Sequence, residues 1–134
     1  KLLYAYSEAT VPKVSLIMRK AYGGAYIAMN SKNMGADLVF AWPIAQLAVM
    51  GAEGAVDIIY KKLLNSADNP GELKNELIVE YEQKYLNPYI AAANGYIDDV
   101  IEAKQTRKRI SEAFISLKTK KKESPWKKHG NIPL

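Results

Sequence analysis

Two short apolar runs rich in β-branched and aromatic residues, VSLIM at 14–18 and LVFAW at 38–42, are separated by a glycine pair and a stretch in helical stride. A hairpin needs only a few residues between its strands. A gap that holds a helix demands a crossover instead, and crossovers join parallel strands with a right-handed turn. The chain is therefore expected to build βαβ units, and its fold class is α/β. The second half is too poor in strands to complete a doubly wound sheet, so the expected fold is also helix-rich.

Breakers place the other elements. Residues 1–9 read as a helix with Leu2, Leu3 and Tyr6 on one side, stopped by Pro12. Gly23 and Gly24 end the first strand, and a helical pattern resumes over 25–30. SKNMGAD is a polar turn around Gly35. Pro43 closes the second strand, 47–50 is a candidate third, and a helix is expected over 52–64. In DNPGELKNEL, Asn69 fits an N-cap, Pro70 the first helical position and Glu72 the reach-back position of a capping box. Leu73, Leu77 and Tyr81 then give that helix one apolar face. LNPYIAAANG repeats the start signal at Asn87 and Pro88 and stops at Asn94-Gly95. YIDDVI is a short strand or extended link. A last helix over 103–118 carries Ile110, Ala113, Phe114 and Leu117 on one side.

The apolar run over 38–52 has only Gln46 as a strongly polar side chain. It is shorter than the roughly 20 residues a membrane span needs, and Pro43 interrupts it, so it reads as buried interior. With 134 residues, 49% apolar and 25% charged, the chain has the makings of one globular domain with a sizeable core. It opens on KLLYAY, without methionine and already in helical stride, which reads as a piece of something larger. No secretory signal pattern is visible.

The net charge of +5 is concentrated at one end. Six lysines and the single acid Glu123 lie between 118 and 129, and they account for all of it. Residues 1–117 are thus a neutral folded part and 118–134 a basic tail expected to run along the surface, which removes the main support for nucleic-acid binding by the whole domain.

Side-chain catalysts are scarce. There is no cysteine, so thiol chemistry, disulfides and cysteine-ligated metal are excluded, in keeping with a cytoplasmic location. The one histidine, His129, sits in the lysine tail, so neither a Cys–His pair nor a histidine-based metal site can form. No metal is expected. Asp98 and Asp99 are neighbours, and on a strand neighbours face opposite ways. KQTRKR (104–109) resembles a phosphate patch, but Glu102 and Glu112 flank it, as on a solvated helix face.

That leaves AYGGAY at 21–26. Paired glycines often mark nothing more than a turn. Here they stand between a strand and a helix start, where the first N–H groups of the helix lack partners and carry partial positive charge. Such a place can stabilise an oxyanion through backbone alone.

Four stretches, KLLYAYSEATVPKVSLIMRKAYGGAYIAM, GADLVFAWPIAQLAVMGAEGAV, NPYIAAANGYIDDVIEAKQTRKRI and the closing KKHGNIPL, together resemble the carboxyltransferase β subunit of biotin-dependent acyl-CoA carboxylases, of the propionyl-CoA carboxylase type. The order and spacing of all four make the resemblance specific. It implies a crotonase-like (ClpP/crotonase) fold, with this chain the C-terminal part of the second of two carboxyltransferase subdomains. It also implies transfer of a carboxyl group from carboxybiotin to the α carbon of propionyl-CoA or acetyl-CoA, giving methylmalonyl-CoA in the former case. The cofactor serves as its own base there, and the protein stabilises oxyanions. By the same resemblance, the backbone N–H groups of Gly24 and Ala25 form the catalytic oxyanion hole facing biotin. Gly23, Tyr26, Ile27, Trp42 and Pro43 would bind substrate, with Ile27 at the acyl end of the pocket and Trp42 and Pro43 in its wall. No biotin-attachment motif of the Met-Lys-Met kind occurs, so biotin would be carried on another chain. The implied partners are acyl-CoA, biotin carboxyl carrier and biotin carboxylase subunits, and further copies of the subunit in a hexamer. A piece of this length would be inactive alone.

Two alternatives accompany that expectation. Closely similar sequences serve sodium-pumping methylmalonyl-CoA or glutaconyl-CoA decarboxylases, whose partner is a membrane complex. A non-catalytic module, binding acidic partners through the lysine tail, is the more distant one.

Overall fold

The computed structural model describes residues 1–123. His129, the closing KKHGNIPL and most of the expected basic tail lie outside them. Helix α1 (Leu2–Glu8) leads to strands β1 (Val14–Ile17) and β2 (Lys20–Tyr22), then to α2 (Gly23–Ala28) and a short 3-10 turn. Strands β3 (Leu38–Ala41) and β4 (Gln46–Ala48) follow. Next come α3 (Ala52–Ile59), α4 (Lys61–Asn65), α5 (Pro70–Tyr85), α6 (Pro88–Ala93), β5 (Asp99–Val100) and α7 (Thr106–Ser116).

All pairings are parallel, as the crossover argument requires. One sheet has the order β1-β3-β5 and a second pairs β2 with β4. The second continues the first around a corner. Trp42 N–H donates to Ile17 O and Gln46 N–H to Arg19 O, so the two paired chains turn together. Strand β2 was not expected, because Lys20 and Tyr22 gave the segment before the glycines no continuous apolar run. Its pairing with β4, Ala21 opposite Leu47, supplies the order that local pattern did not.

Alternation along β3 divides the core. Val39 and Ala41 join Ile17, Ala21, Ala36, Ala45, Ala91 and Ile97 on one side, with Tyr26 packed against them. Phe40 joins Ile101 and Ala113 of α7 on the other, with Leu38 and Trp42 alongside. Five of the eight buried residues in the first cluster are alanines, so little side-chain bulk separates its elements.

Several boundaries differ from expectation. The helix expected over 52–64 is two, broken at Tyr60. Asn69 and Pro70 start α5, but the Asn69 side chain makes no capping hydrogen bond, and its backbone (φ −129°, ψ 80°) departs from the extended form that directs such a side chain at the first turn. Asn87 does cap α6, accepting from Ile90 N–H at 3.2 Å. A capping box forms between Glu102 and Gln105, where a 3-10 turn (Ala103–Gln105) precedes α7. The run over 38–52 is not uniformly interior: Val39, Phe40, Ala41 and Ala45 are buried, whereas Ile44 and Val49 are 68% and 81% exposed. Pro43 breaks the strand there, and both residues fall outside the strands, Ile44 on a turn between β3 and β4 and Val49 on a bend just after β4. Among the described residues no helix is long and apolar enough to cross a membrane.

The start of the basic tail is not free at the surface. Lys120 forms a largely buried ion pair with Asp37 (2.7 Å) and also donates to Val11 O. Asp37 accepts from the Lys13 backbone N–H as well. Lys13 buries its own ammonium, which donates to Tyr6 O and Met34 O. Burial, then the Lys122 and Lys120 charges, hold the Lys13 pKa below the ordinary lysine value.

Candidate functional site

The AYGGAY motif spans the end of β2 and the first turn of α2. Tyr22 is the N-cap in extended conformation, and its side chain does not cap the helix. Its hydroxyl donates instead to Gln46 Oε1 on β4, tying the entrance of α2 to the sheet. Burial, and secondarily the Glu82 charge, raise the Tyr22 pKa, so the phenol stays protonated as that donor.

The two glycines differ in kind. Gly23 has φ +56°, and a Cβ there would lie 2.9 Å from the Val49 carbonyl oxygen. Backbone geometry demands this glycine. Gly24 has an ordinary φ, and no atom stands within 4 Å of where its Cβ would be. The space beside Gly24 is open.

Among the described residues, the N–H groups of Gly24 and Ala25 donate to no protein acceptor. Helical geometry aims such first-turn donors back along the axis, away from the helix body. Gly23, Gly24, Tyr26 and Ile27 line a cleft of about 420 Å³, together with Asn33, Leu47 to Val49, Tyr85, Ile90 of α6 and Asn94 at its C-terminal end. No aspartate, glutamate, lysine, arginine or histidine borders it. Ala25 borders a second, larger groove of about 820 Å³ that follows β1 and β2. Helix α2 is thus a partition between two cavities, and Tyr26 lines both.

Trp42 and Pro43 are not part of this arrangement. Trp42 packs with Phe40 and Ile101 on the α7 side of the sheet, and its indole N–H donates to Thr106 Oγ1 at 2.9 Å. Strand alternation explains the separation, since the residue that faces α2 in this segment is Ala41. The approach of the two clefts at Tyr26 had no sequence signal, because the groove walls come from segments distant along the chain.

The remaining charged candidates are committed to the fold. Asp98 pairs with Lys32 and accepts from Val39 N–H, while Asp99 pairs with Arg109, so the neighbours do face apart. Arg109 also lies over the Phe40 ring. That leaves KQTRKR without its best phosphate ligand. Among the described residues no group of three or more histidine, cysteine, aspartate or glutamate side chains could hold a metal ion.

Residues 1–132 match the family model of the carboxyl transferase domain. The whole chain is 57% identical to the carboxyltransferase subunit of propionyl-CoA carboxylase from Haloferax mediterranei and 58% identical to the alpha subunit of methylmalonyl-CoA decarboxylase from Propionigenium modestum. It spans 26% of the length of each. The solved structure of transcarboxylase 12S, described as a hexamer with methylmalonyl-coenzyme A bound, superimposes with a TM-score of 0.89 at 51% identity, over 99% of this chain and 26% of that one. The beta subunit of geranyl-CoA carboxylase from P. aeruginosa, at 20% identity, shares the fold with a TM-score of 0.71.

Proposed function

Because this chain belongs to the carboxyl transferase domain family, whose crotonase-like α/β fold it has, we propose that it is the biotin-facing part of a longer carboxyltransferase subunit. That subunit moves a carboxyl group between carboxybiotin, borne on a separate carrier chain, and the α carbon of a short-chain acyl-CoA such as propionyl-CoA or acetyl-CoA. The observation that carries this reading is the pair of unengaged N–H groups at Gly24 and Ala25, at a helix start whose Gly24 borders a cleft with no ionisable side chain other than tyrosine.

The residues fit the cofactor. A flat bicyclic urea needs a donor for its oxygen and room to reach the main chain, and the bare Cα of Gly24 leaves that room. When bound, carboxybiotin supplies both the carboxyl group and the base for the acyl α-proton. The protein's share is to hold donors where negative charge develops and to exclude water. Removal of one such donor elsewhere costs about 3–4 kcal/mol, so two account for a large part of a barrier reduction. Tyr26 and Ile27 line the cleft, and the role proposed for Ile27 is to read the acyl end. Acyl-CoA, the biotin carrier, a biotin carboxylase subunit and further copies in a hexamer are the proposed partners, and the cytoplasm is the proposed location.

The test is Ala25→Pro in the whole subunit. Proline is tolerated in a first helical turn, so the variant folds while losing one donor. Transfer from carboxybiotin to propionyl-CoA should fall about 10²–10³-fold. Unchanged turnover in the folded variant refutes the backbone assignment.

A second reading runs the same chemistry toward loss of carbon dioxide in a sodium-pumping membrane complex. The 58% identity to the methylmalonyl-CoA decarboxylase subunit favours it as much as the 57% identity favours the carboxylase. Neighbouring genes separate the two: a membrane pump subunit marks the decarboxylase, a biotin carboxylase the other.

A further inference from the structure

Residues 46–51 meet the junction of β2 and α2 at three points. Gln46 Oε1 accepts from the Tyr22 hydroxyl. The Val49 carbonyl oxygen stands 2.9 Å from where a Cβ on Gly23 would be, and the Tyr22 ring lies 3.5 Å from where one on Gly51 would be. Of the three, only the hydroxyl bond is directional. Strand register brings it about. Lys20 is opposite Gln46 and Tyr22 opposite Ala48, so alternation puts Tyr22 and Gln46 on one face, and the small Ala48 side chain leaves the ring a path to the carboxamide. Gln46 is itself held by its main chain, whose N–H donates to Arg19 O at 2.7 Å. It borders neither the 420 Å³ cleft nor the 820 Å³ groove. A second side-chain pair holds the far end of α2: Asn30 Nδ2 donates to Ser15 Oγ at 3.0 Å, and the Ser15 hydroxyl donates to Asn30 O at 2.8 Å.

Resting on the carboxyl-transfer reading above, we propose that Gln46 is a positioning residue for that reaction: its carboxamide oxygen, carried on β4, fixes the Tyr22 side chain and through it the direction of the Gly24 and Ala25 N–H groups. Tyr22 is the residue at which strand becomes helix, with φ −114° and ψ 134°. The left-handed Gly23 comes next, and glycine has the widest backbone freedom of any residue, so this turn gains from an outside hold. Donors stabilise a developing charge best when their geometry is set beforehand. A carboxamide oxygen suits the task because it accepts without titrating. Burial, then the Glu82 charge, raise the Tyr22 pKa and keep the phenol a donor at neutral pH.

The experiment uses the whole subunit, assayed with its carboxylated biotin carrier and propionyl-CoA. Gln46→Leu and Tyr22→Phe each remove one side of the bond, Gln46→Glu keeps an acceptor oxygen, and Ser15→Ala loosens the other end of α2. A misplacement of about 1 Å costs up to about a hundredfold in rate, so kcat should fall about 10- to 100-fold in Gln46→Leu and in Tyr22→Phe, with KM for propionyl-CoA within twofold. The double variant should be no slower than either single one. Gln46→Glu should restore kcat to within threefold of wild type, and Ser15→Ala should lower the thermal midpoint yet keep kcat within twofold. Tyr22→Phe keeps the ring and its packing, so it carries the test even if Gln46→Leu does not fold. A kcat within threefold of wild type in Tyr22→Phe overturns the proposal. So does a Gln46→Glu as slow as Gln46→Leu, or a Ser15→Ala as slow as Tyr22→Phe, since any loosening of α2 would then suffice. If wild type transfers no carboxyl group from carboxybiotin, the functional reading fails and the Gln46 role falls with it. A working wild type beside a working Tyr22→Phe defeats the Gln46 role alone.

Discussion

Adjacent glycines with different physical reasons for being glycine should respond oppositely to the same substitution. At Gly23 the added methyl meets two penalties. A left-handed φ of +56° costs a non-glycine residue about 1–2 kcal/mol. The methyl would also lie 2.9 Å from the Val49 carbonyl oxygen, a backbone atom, so the turn after β4 must shift. Crowding of that kind costs at least about 1 kcal/mol more. The sum, about 2–3 kcal/mol, falls on the β2–α2 junction. At Gly24 neither penalty applies, and removing a flexible glycine from a helix gains up to about 1 kcal/mol. Its methyl would instead occupy the space the ligand is proposed to use. Amide hydrogen exchange across β2 and α2 reads local opening whatever the size of the whole subunit. Gly23→Ala should speed exchange there roughly 30- to 140-fold, at 1.4 kcal/mol per decade. Gly24→Ala should leave exchange unchanged or slower, yet impair carboxyl transfer. Equal acceleration in both variants, or normal transfer by Gly24→Ala, refutes the division of labour between the two glycines.

Asn87→Ala removes the side-chain acceptor of Ile90 N–H and should destabilise α6 by about 1 kcal/mol, seen as a lower urea midpoint with an unchanged m-value. Trp42→Phe loses the hydrogen bond to Thr106 and should cost about 0.5–1.5 kcal/mol of stability while leaving the KM for acyl-CoA unaltered, which kinetics of the folded variant would check. For Asp37, burial works to raise the pKa, but the Lys120 and Lys13 hydrogen bonds and their charges outweigh it and leave it below the ordinary value. A depressed carboxylate pKa gives stability that is fully present above the unfolded value near pH 4 and lost as pH falls through the folded value. Acid unfolding followed by circular dichroism should therefore shift to higher pH in Lys120→Ala, with about 2–3 kcal/mol lost at neutral pH from leaving a mostly buried carboxylate without its cation.

The legible parts of this fold were those written in local pattern. The apolar runs at 14–18 and 38–42 appear as β1 and β3, and Asn87-Pro88 and Gly95 bracket α6 as their cap chemistry requires. What stayed hidden depended on partners distant in sequence. Strand β2 exists because Lys20 to Tyr22 find Gln46 to Ala48, and nothing in KAY announces that. Trp42 was expected in the pocket wall from the family resemblance alone. Alternation sends it to the α7 side, where Thr106 receives its N–H. The lysine tail looked uniform as a run of charge. Yet Lys120 is bound to Asp37, an acid that reads in sequence as an ordinary turn residue.

The candidate site was legible for the reason that makes its chemistry unusual. An oxyanion hole built from side chains needs particular residue types gathered from several elements, and a single sequence cannot show which of them meet. Two backbone donors at the start of one helix need only a strand, glycine and a helix in direct succession. The charges that could have formed a competing centre are absorbed elsewhere: Asp98 by Lys32, Asp99 by Arg109, Asp37 by Lys120, and Lys13 by two carbonyls. The cleft beside Gly24 is left with amides, carboxamides and phenols. Such a surface can bind and stabilise negative charge at neutral pH, but it has no group poised to take up a proton there. A reaction at this cleft that needs a base must therefore bring one with the ligand, and this is the division of labour expected when the cofactor carries the hard chemistry.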